Sequence, residues 1–377
     1  TLRRMPDKRI VIAGGGLAGL VTSIDLAHQG IPSTVIEKNR YPFHRVCGEY
    51  ISQEVVPYLR RLGTYPENLG PVRIKRFQLS STRGDLAELP LDPGGFGISR
   101  YAWDHFLYQC ALKQGVRFLL DTEVIGILRK ADRFVVETSS EALEADILIA
   151  THGKRSRIDK HLNREFVNRS SPFVGVKYHI KLPGFPEDLI ALHNFSKGYC
   201  GISRVEDNIV NLCYLTHRDN VRAYGSLRAL EEAVLFRNPF IRDIFSNAQF
   251  LFQKPETINE ISFETKGPVE DHILFCGDSA GMITPLCGNG MAMAIHSAKL
   301  VAERVARYCR DARYTVHQLE ADYAAAWKSQ FARRLWAGRT IQNLFGNNNA
   351  STLAVKLALW AKPAARLLVG LTHGKPF

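Results

Sequence analysis

Short apolar runs and helically spaced apolar residues alternate along the chain, and the alternation marks its elements. "RIVIAGGG" is a continuous apolar run that ends in glycines, the pattern of a strand buried on both faces in a parallel sheet. "LAGLVTSIDLAHQG" then has helical spacing and stops at Gly30, a helix C-cap residue. "STVIEK" follows as a second strand with Glu37 at its end, so a βαβ unit is predicted. Much later "HILFCGDSAG" repeats the strand-into-glycine pattern, and "PLCGNGMAMAIHSAKLVAERVARY" predicts a second glycine turn opening onto a long amphipathic helix.

Between these units the pattern changes to period two. "RIKRFQLSSTRGDLAELPL" predicts a hairpin, and "FVGVKYHIKL", "LIALHNFSKGYCGISRV" and "NIVNLCYLT", with turns at "SKG" and "VEDN", predict an antiparallel sheet. "SLRALEEAVLFRNPFIRDIF" predicts helix. The expected fold is α/β: a Rossmann-like dinucleotide-binding domain over 1–70, 98–170 and 265–310, an interleaved antiparallel-sheet substrate domain over 71–97 and 171–264, and C-terminal helices over 311–377.

Charge and composition narrow the chemistry. Of 377 residues, 49 are Lys or Arg and 37 Asp or Glu, a net charge of +12 that suits an anionic ligand such as a dinucleotide. No basic block is interleaved with aromatics, so nucleic acid is not an expected partner. The seven cysteines form no CxxC pair, which predicts reduced thiols, a cytoplasmic setting and no zinc site. No HExxH or carboxylate cluster points to a metal. No run of eighteen apolar residues occurs, and the C-terminal "LAVKLALWAKPAARLLVGL", with Lys356, Lys362 and Arg366 among apolar residues, predicts packing on the body with peripheral membrane contact as the alternative.

The first glycine turn reads Gly14-x-Gly16-x-x-Gly19. Glycines there permit a tight turn and close approach of a pyrophosphate, and the helix N-terminus attracts its charge. An acid rather than an arginine at Glu37 favours FAD or NAD over NADP, because a carboxylate accepts hydrogen bonds from ribose hydroxyls. The second turn would set the amides of Gly288 to Met291, with a helix dipole behind them, against an electron-rich group such as a reduced flavin.

Gly14, Gly16 and Gly19 with Glu37, then "LIATHGKRSRI", then "CGDSAGMITPLCGNGMAMAI" resemble the three flavin motifs of the para-hydroxybenzoate-hydroxylase-like FAD superfamily, in the form carried by its geranylgeranyl reductase and flavin-halogenase branch. The resemblance implies FAD, with Gly14, Gly16 and Gly19 at the pyrophosphate and Glu37 at the adenosine ribose. It implies Arg45 in the loop passing the cofactor, Arg100 opening a helix beside the flavin, Asp278 at the ribityl or phosphate region, and Gly288 and Gly290 at the isoalloxazine. Thr151-His152-Gly153 departs from the usual "ADG". The halogenase Trp-x-Trp-x-Ile-Pro signature is absent, and "GYCGISR" stands where the reductase branch has Tyr-x-Trp-x-Phe-Pro, with Tyr199 matching its tyrosine.

The function expected is an FAD-dependent oxidoreductase reducing a double bond of a lipophilic or conjugated small molecule. A monooxygenase acting on an aromatic or polyketide-like compound is the alternative, and a non-catalytic dinucleotide- or lipid-binding protein a third. No second GxGxxG unit exists, so NAD(P)H docks transiently or a separate reductase supplies electrons. In "VCGEYIS", Glu49 is expected to move the proton that accompanies hydride transfer, its pKa raised by partial burial, with Cys47 as the competing donor and an ion pair to Arg45 as the bland alternative. Tyr199 and His193 are the candidate substrate residues, although a histidine on a strand is more often packed than catalytic.

Overall fold

The computed structural model describes residues 8–154, 156–169, 171–259, 261, 263, 264, 266–342, 348–360, 370 and 372–377. Lys362, Pro363 and Arg366 of the C-terminal segment therefore lie outside the described residues.

The first apolar run forms the strand Ile10–Ala13 at the heart of a six-stranded sheet. Its order runs Val269–Glu270, Ile273–Phe275, Ile147–Ala150, Ile10–Ala13, Thr34–Ile36, Arg117–Leu119. All neighbours are parallel except the first pair. Ile12 pairs with Ile149 on one side and Val35 on the other, and all three are buried, which is why these strands carry no polar alternation. The helices Leu17–His28 and Gly290–Arg310 both begin beyond the carboxyl ends of their strands, where open α/β sheets bind ligands. Ile24, Val301 and Val305 sit in the common core of this layer.

The period-two segments form a nine-stranded sheet. Along it lie Gln249–Phe250, Phe173–Lys181, Val210–His217, Gly198–Arg204, Leu189–Phe195, Val72–Ser80, Leu86–Gly97 and Tyr50–Ser52, while Glu256–Asn259 also pairs with Phe173–Lys181. The predicted hairpin is present, with Phe77 opposite Leu89. One pairing departs from the antiparallel expectation: Leu189–Phe195 runs parallel to Val72–Ser80, which joins the two distant sequence segments into one sheet. A three-stranded antiparallel sheet, Val124–Lys130, Arg133–Thr138 and Ala142–Ala145, completes the β structure among the described residues.

The C-terminal part contributes the helices Val316–Gln342 and Asn348–Trp360. Val355 and Ala358 of the latter pack into a cluster with Leu79, Leu192 and Leu286, while Leu353, Leu359 and Trp360 are exposed. No helix among the described residues is long and apolar enough to cross a membrane.

Candidate functional site

A cavity of about 830 Å³ lies between the carboxyl edge of the six-stranded sheet and one face of the nine-stranded sheet. It is in the upper part of the range of about 300–1,000 Å³ usual for ligand sites. Gly14, Gly16, Glu37, Arg45, Arg100, Asp278, Gly288 and Gly290 all line it, as do Cys47, Glu49 and Tyr199. Elements up to about 280 residues apart in sequence thus bring eleven of the thirteen expected site residues to one wall system.

Gly19 and His193 do not line it. A Cβ on Gly19 would lie 2.0 Å from the Gly14 carbonyl oxygen and 2.7 Å from Thr151 Oγ1, so this glycine lets the first helix turn pack on the glycine loop. His193 is buried, accepts or donates at Ser80 Oγ (2.9 Å from Nδ1) and stacks on Phe240. Burial pushes its pKa down to about 4, so it is a neutral histidine packed behind the cavity wall.

The polar part of the wall is a chain of alternating charges. Glu37 Oε2 accepts from the Gly15 amide at 2.9 Å and from Arg45 Nη2 at 3.3 Å. Arg45 Nε lies 3.3 Å from Asp104, which is held bidentately by Arg100 at 2.6 Å. Burial opposes the charge of Arg100, and Asp104 more than compensates. Thr151 extends the loop's support: its hydroxyl donates to the Gly14 carbonyl at 2.5 Å, a role the usual alanine of "ADG" does not have. The Asp278 carboxyl is pushed up by burial against the pull of Lys154, Lys266 and Arg100.

Glu49 corrects the sequence expectation most sharply. It is fully buried, with Lys177 Nζ 2.5 Å from Oε1, His179 Nε2 2.7 Å from Oε2, and the Arg100 amide 2.8 Å from Oε1. Burial alone would raise its pKa, but Lys177 and His179 overcome it and hold the carboxylate down at about 2. A group so acidic and so fully hydrogen-bonded anchors the loop and does not shuttle protons near neutral pH. Its ion pair is with Lys177 and not with Arg45. Its φ of +55° also explains the glycine that the reductase branch has here, since glycine adopts the left-handed region freely.

Lys177 and His179 were absent from the sequence-derived candidates. The available signal was a lysine inside "FVGVKYHIKL": residues two apart on a strand share a face, so Lys177 and His179 point together into the loop at Glu49. His44, which lines the cavity and sits edge-on to His179 with ring centroids 5.2 Å apart, was also missed. Burial, with Lys177 and His179 nearby, pushes its pKa down to about 4.

The donor set and shape suit a dinucleotide. The loop glycines have cavity-facing backbone: a Cβ on Gly16 would meet nothing closer than Arg45 Nη2 at 3.9 Å, and one on Gly290 nothing closer than an Ile283 methyl at 3.9 Å. Both positions stand at the start of long helices, whose unpaired amides favour electron-rich groups. A model of the FAD binding domain matches residues 7–319. The chain belongs to this FAD-binding family. It is 22% identical over 338 residues to digeranylgeranylglycerophospholipid reductase 2 of Methanosphaera stadtmanae, covering 84% of this chain and 82% of that one. It is 24% identical over 381 residues to the putative FAD-dependent monooxygenase YetM of Bacillus subtilis, covering 96% and 97%. The flavin-dependent halogenase CmlS has the same fold, with a TM-score of 0.78 at 19% identity over 99% of this chain and 74% of its own.

This FAD-binding protein is an oxidoreductase of the flavoprotein kind, and its reductase, monooxygenase and halogenase relatives share the scaffold. Beyond the polar wall its cavity is apolar. Leu79, Leu192, Leu215, Ile261, Leu286 and Ala358 line that part, with Tyr199 among them. The Tyr199 phenol is kept protonated by burial, which raises its pKa well above the ordinary value.

Proposed function

We propose that this flavoprotein reduces a carbon–carbon double bond in a lipophilic, extended or conjugated small molecule. The observation that carries the proposal is the cavity's continuity: the glycine turns and the apolar face of the nine-stranded sheet line one space, so a lipophilic substrate and FAD would share it. FAD bound there supplies the two-electron chemistry. The amides around Gly14 and Gly16, at the helix Leu17–His28, hold the pyrophosphate, and Glu37 accepts from the ribose. Arg45 and Arg100 offset the anionic charge, Asp278 meets the ribityl chain, and Gly288 and Gly290 let backbone approach the ring.

Reduction of a double bond needs one proton along with the hydride. With Glu49 committed to Lys177 and His179, the proton falls to Cys47 or Tyr199, both of which line the cavity. NAD(P)H docking transiently, or a separate reductase, replenishes the electrons. The name of the Methanosphaera relative favours this reading, while the full-length match to YetM favours monooxygenation as the second one.

The discriminating experiment is turnover by photoreduced holoenzyme, using a geranylgeranylated glycerophospholipid and a polyene as probes. Reduction proceeds without oxygen if the first reading holds. A strict oxygen requirement, with one oxygen atom incorporated into product, overturns it in favour of the second.

A further inference from the structure

On the far side of the six-stranded sheet, metal-ligating side chains from two distant segments converge. His272 lies in the two-residue turn joining Val269–Glu270 to Ile273–Phe275, and His317 and Glu320 stand three apart at the start of the helix Val316–Gln342. An i,i+3 pair shares a helix face. His272 Nδ1 is 2.8 Å from Glu320 Oε1, and one ligand atom from each of the three side chains lies within 4.8 Å of the others. His272 and its neighbour Asp271 have φ of +64° and +47°, a conformation that costs a residue with a Cβ about 1–2 kcal/mol. Glycine and asparagine are the usual occupants of such turns, so the sequence places an imidazole here at a cost.

We propose that His272, His317 and Glu320 form a site for a divalent transition-metal ion, with Zn²⁺ the best match. Two imidazoles and one carboxylate are the ligand set of three-residue zinc sites that leave a fourth position for water. The nitrogen ligands disfavour Mg²⁺ and Ca²⁺, which prefer oxygen alone. With bonds of about 2.0–2.1 Å, ligand atoms around a tetrahedral ion stand about 3.3 Å apart. The His272–Glu320 pair therefore opens slightly on binding, and exposed His317 swings inward. The ion ties the start of the helix to the hairpin. Further along that helix Tyr323 donates to the Phe275 carbonyl at 2.6 Å, so the ion braces from outside the strand that leads to Asp278. No single spacing motif carries the site, because 44 residues separate His272 from the rest.

The test is calorimetric titration of tag-free, chelator-stripped holoenzyme with ZnCl₂ alone, with Co²⁺ absorption reporting the ligand field. Wild type binds one Zn²⁺ saturably with micromolar or better affinity. His317→Ala, at an exposed position, and His272→Asn, which keeps a residue tolerant of the left-handed backbone, each weaken binding by about tenfold or more, at least the loss seen when only an outer partner of a metal ligand is removed. Absence of saturable binding overturns the proposal. So does unchanged affinity in both variants, which would assign the ion to others of the twelve histidines or seven cysteines.

Discussion

The two glycine turns of this protein look alike in sequence and differ in what surrounds them. In the first, an added Cβ collides with protein at three of the four glycines: at Gly14 with Thr151 backbone at 2.6 Å, at Gly15 with the Tyr41 hydroxyl at 2.2 Å, and at Gly19 with the Gly14 carbonyl at 2.0 Å, while at Gly16 nothing is nearer than 3.9 Å. In the second, a Cβ on Gly288 meets only the Tyr50 ring at 3.2 Å, and one on Gly290 meets essentially open cavity. Glycine in the first turn is required by packing except at Gly16; in the second, the backbone requires it at Gly288, whose φ is +63°, while Gly290 is left open toward the cavity. The same residue type thus reports close packing at one place and cofactor access at the other.

Substitution at the two turns should separate fold from binding. Gly19→Val has the largest expected effect, since backbone atoms cannot yield 1 Å or more; a loss exceeding the usual 1–3 kcal/mol of overpacking leaves little soluble protein, as a solubility and circular-dichroism comparison would show. Glu49→Ala strands fully buried Lys177 and should cost about 3–5 kcal/mol, read from denaturant midpoints. A Glu49→Leu/Lys177→Met pair recovering much of that loss would show that the pair itself, and not the loop's shape, sets the cost.

The polar loop and the packed sheet also respond differently to acid. The depressed pKa of Glu49, about 2 against an ordinary 4.5, gives stability that is complete above about pH 4.5 and is lost as pH falls toward 2. His193 and His296, at about 4 and about 3 against 6.5, are neutral in the fold and take up protons on unfolding, so their contribution fades from about pH 6.5 downward. Thermal midpoints should therefore decline below pH 6.5 and steepen below 4.5, and Glu49→Gln should flatten the steeper part. The smallest effect is expected from His193→Gln, which leaves the cavity wall untouched and should change substrate KM less than about twofold, surface-like in scale despite its burial. Tyr199→Phe, in the wall, should change it more.

Local patterns in the sequence, an apolar run into glycine, a helix start and an acid at a strand end, made both turns and their strands legible, while Arg45, Arg100, Asp278 and Tyr199 were legible only through the family resemblance and the three-stranded sheet was not foreseen. The sequence did not make the partners legible. Lys177 and His179 meet Glu49 across 128 and 130 residues, through a strand whose pairing brings its face onto the loop, and no local pattern encodes that approach. The expected acid–base role for Glu49 failed for this reason: its pKa is set by partners the motif does not contain. Gly19 and His193 fall outside the cavity wall because a fingerprint position and a strand histidine each have a packing use that spacing alone does not distinguish.

The open space before Gly290 is where we propose that FAD binds. Titrating apo wild type and Gly290→Val with FAD, with the melting temperature of each apo protein measured alongside, tests it most directly. The two apo proteins should melt within about 2 °C of one another, since a difference below 1 kcal/mol moves the midpoint no further. FAD should bind wild type one to one and the variant at least about 100-fold more weakly, a loss of about 2.7 kcal/mol. Equal FAD affinity in the two proteins would contradict the claim.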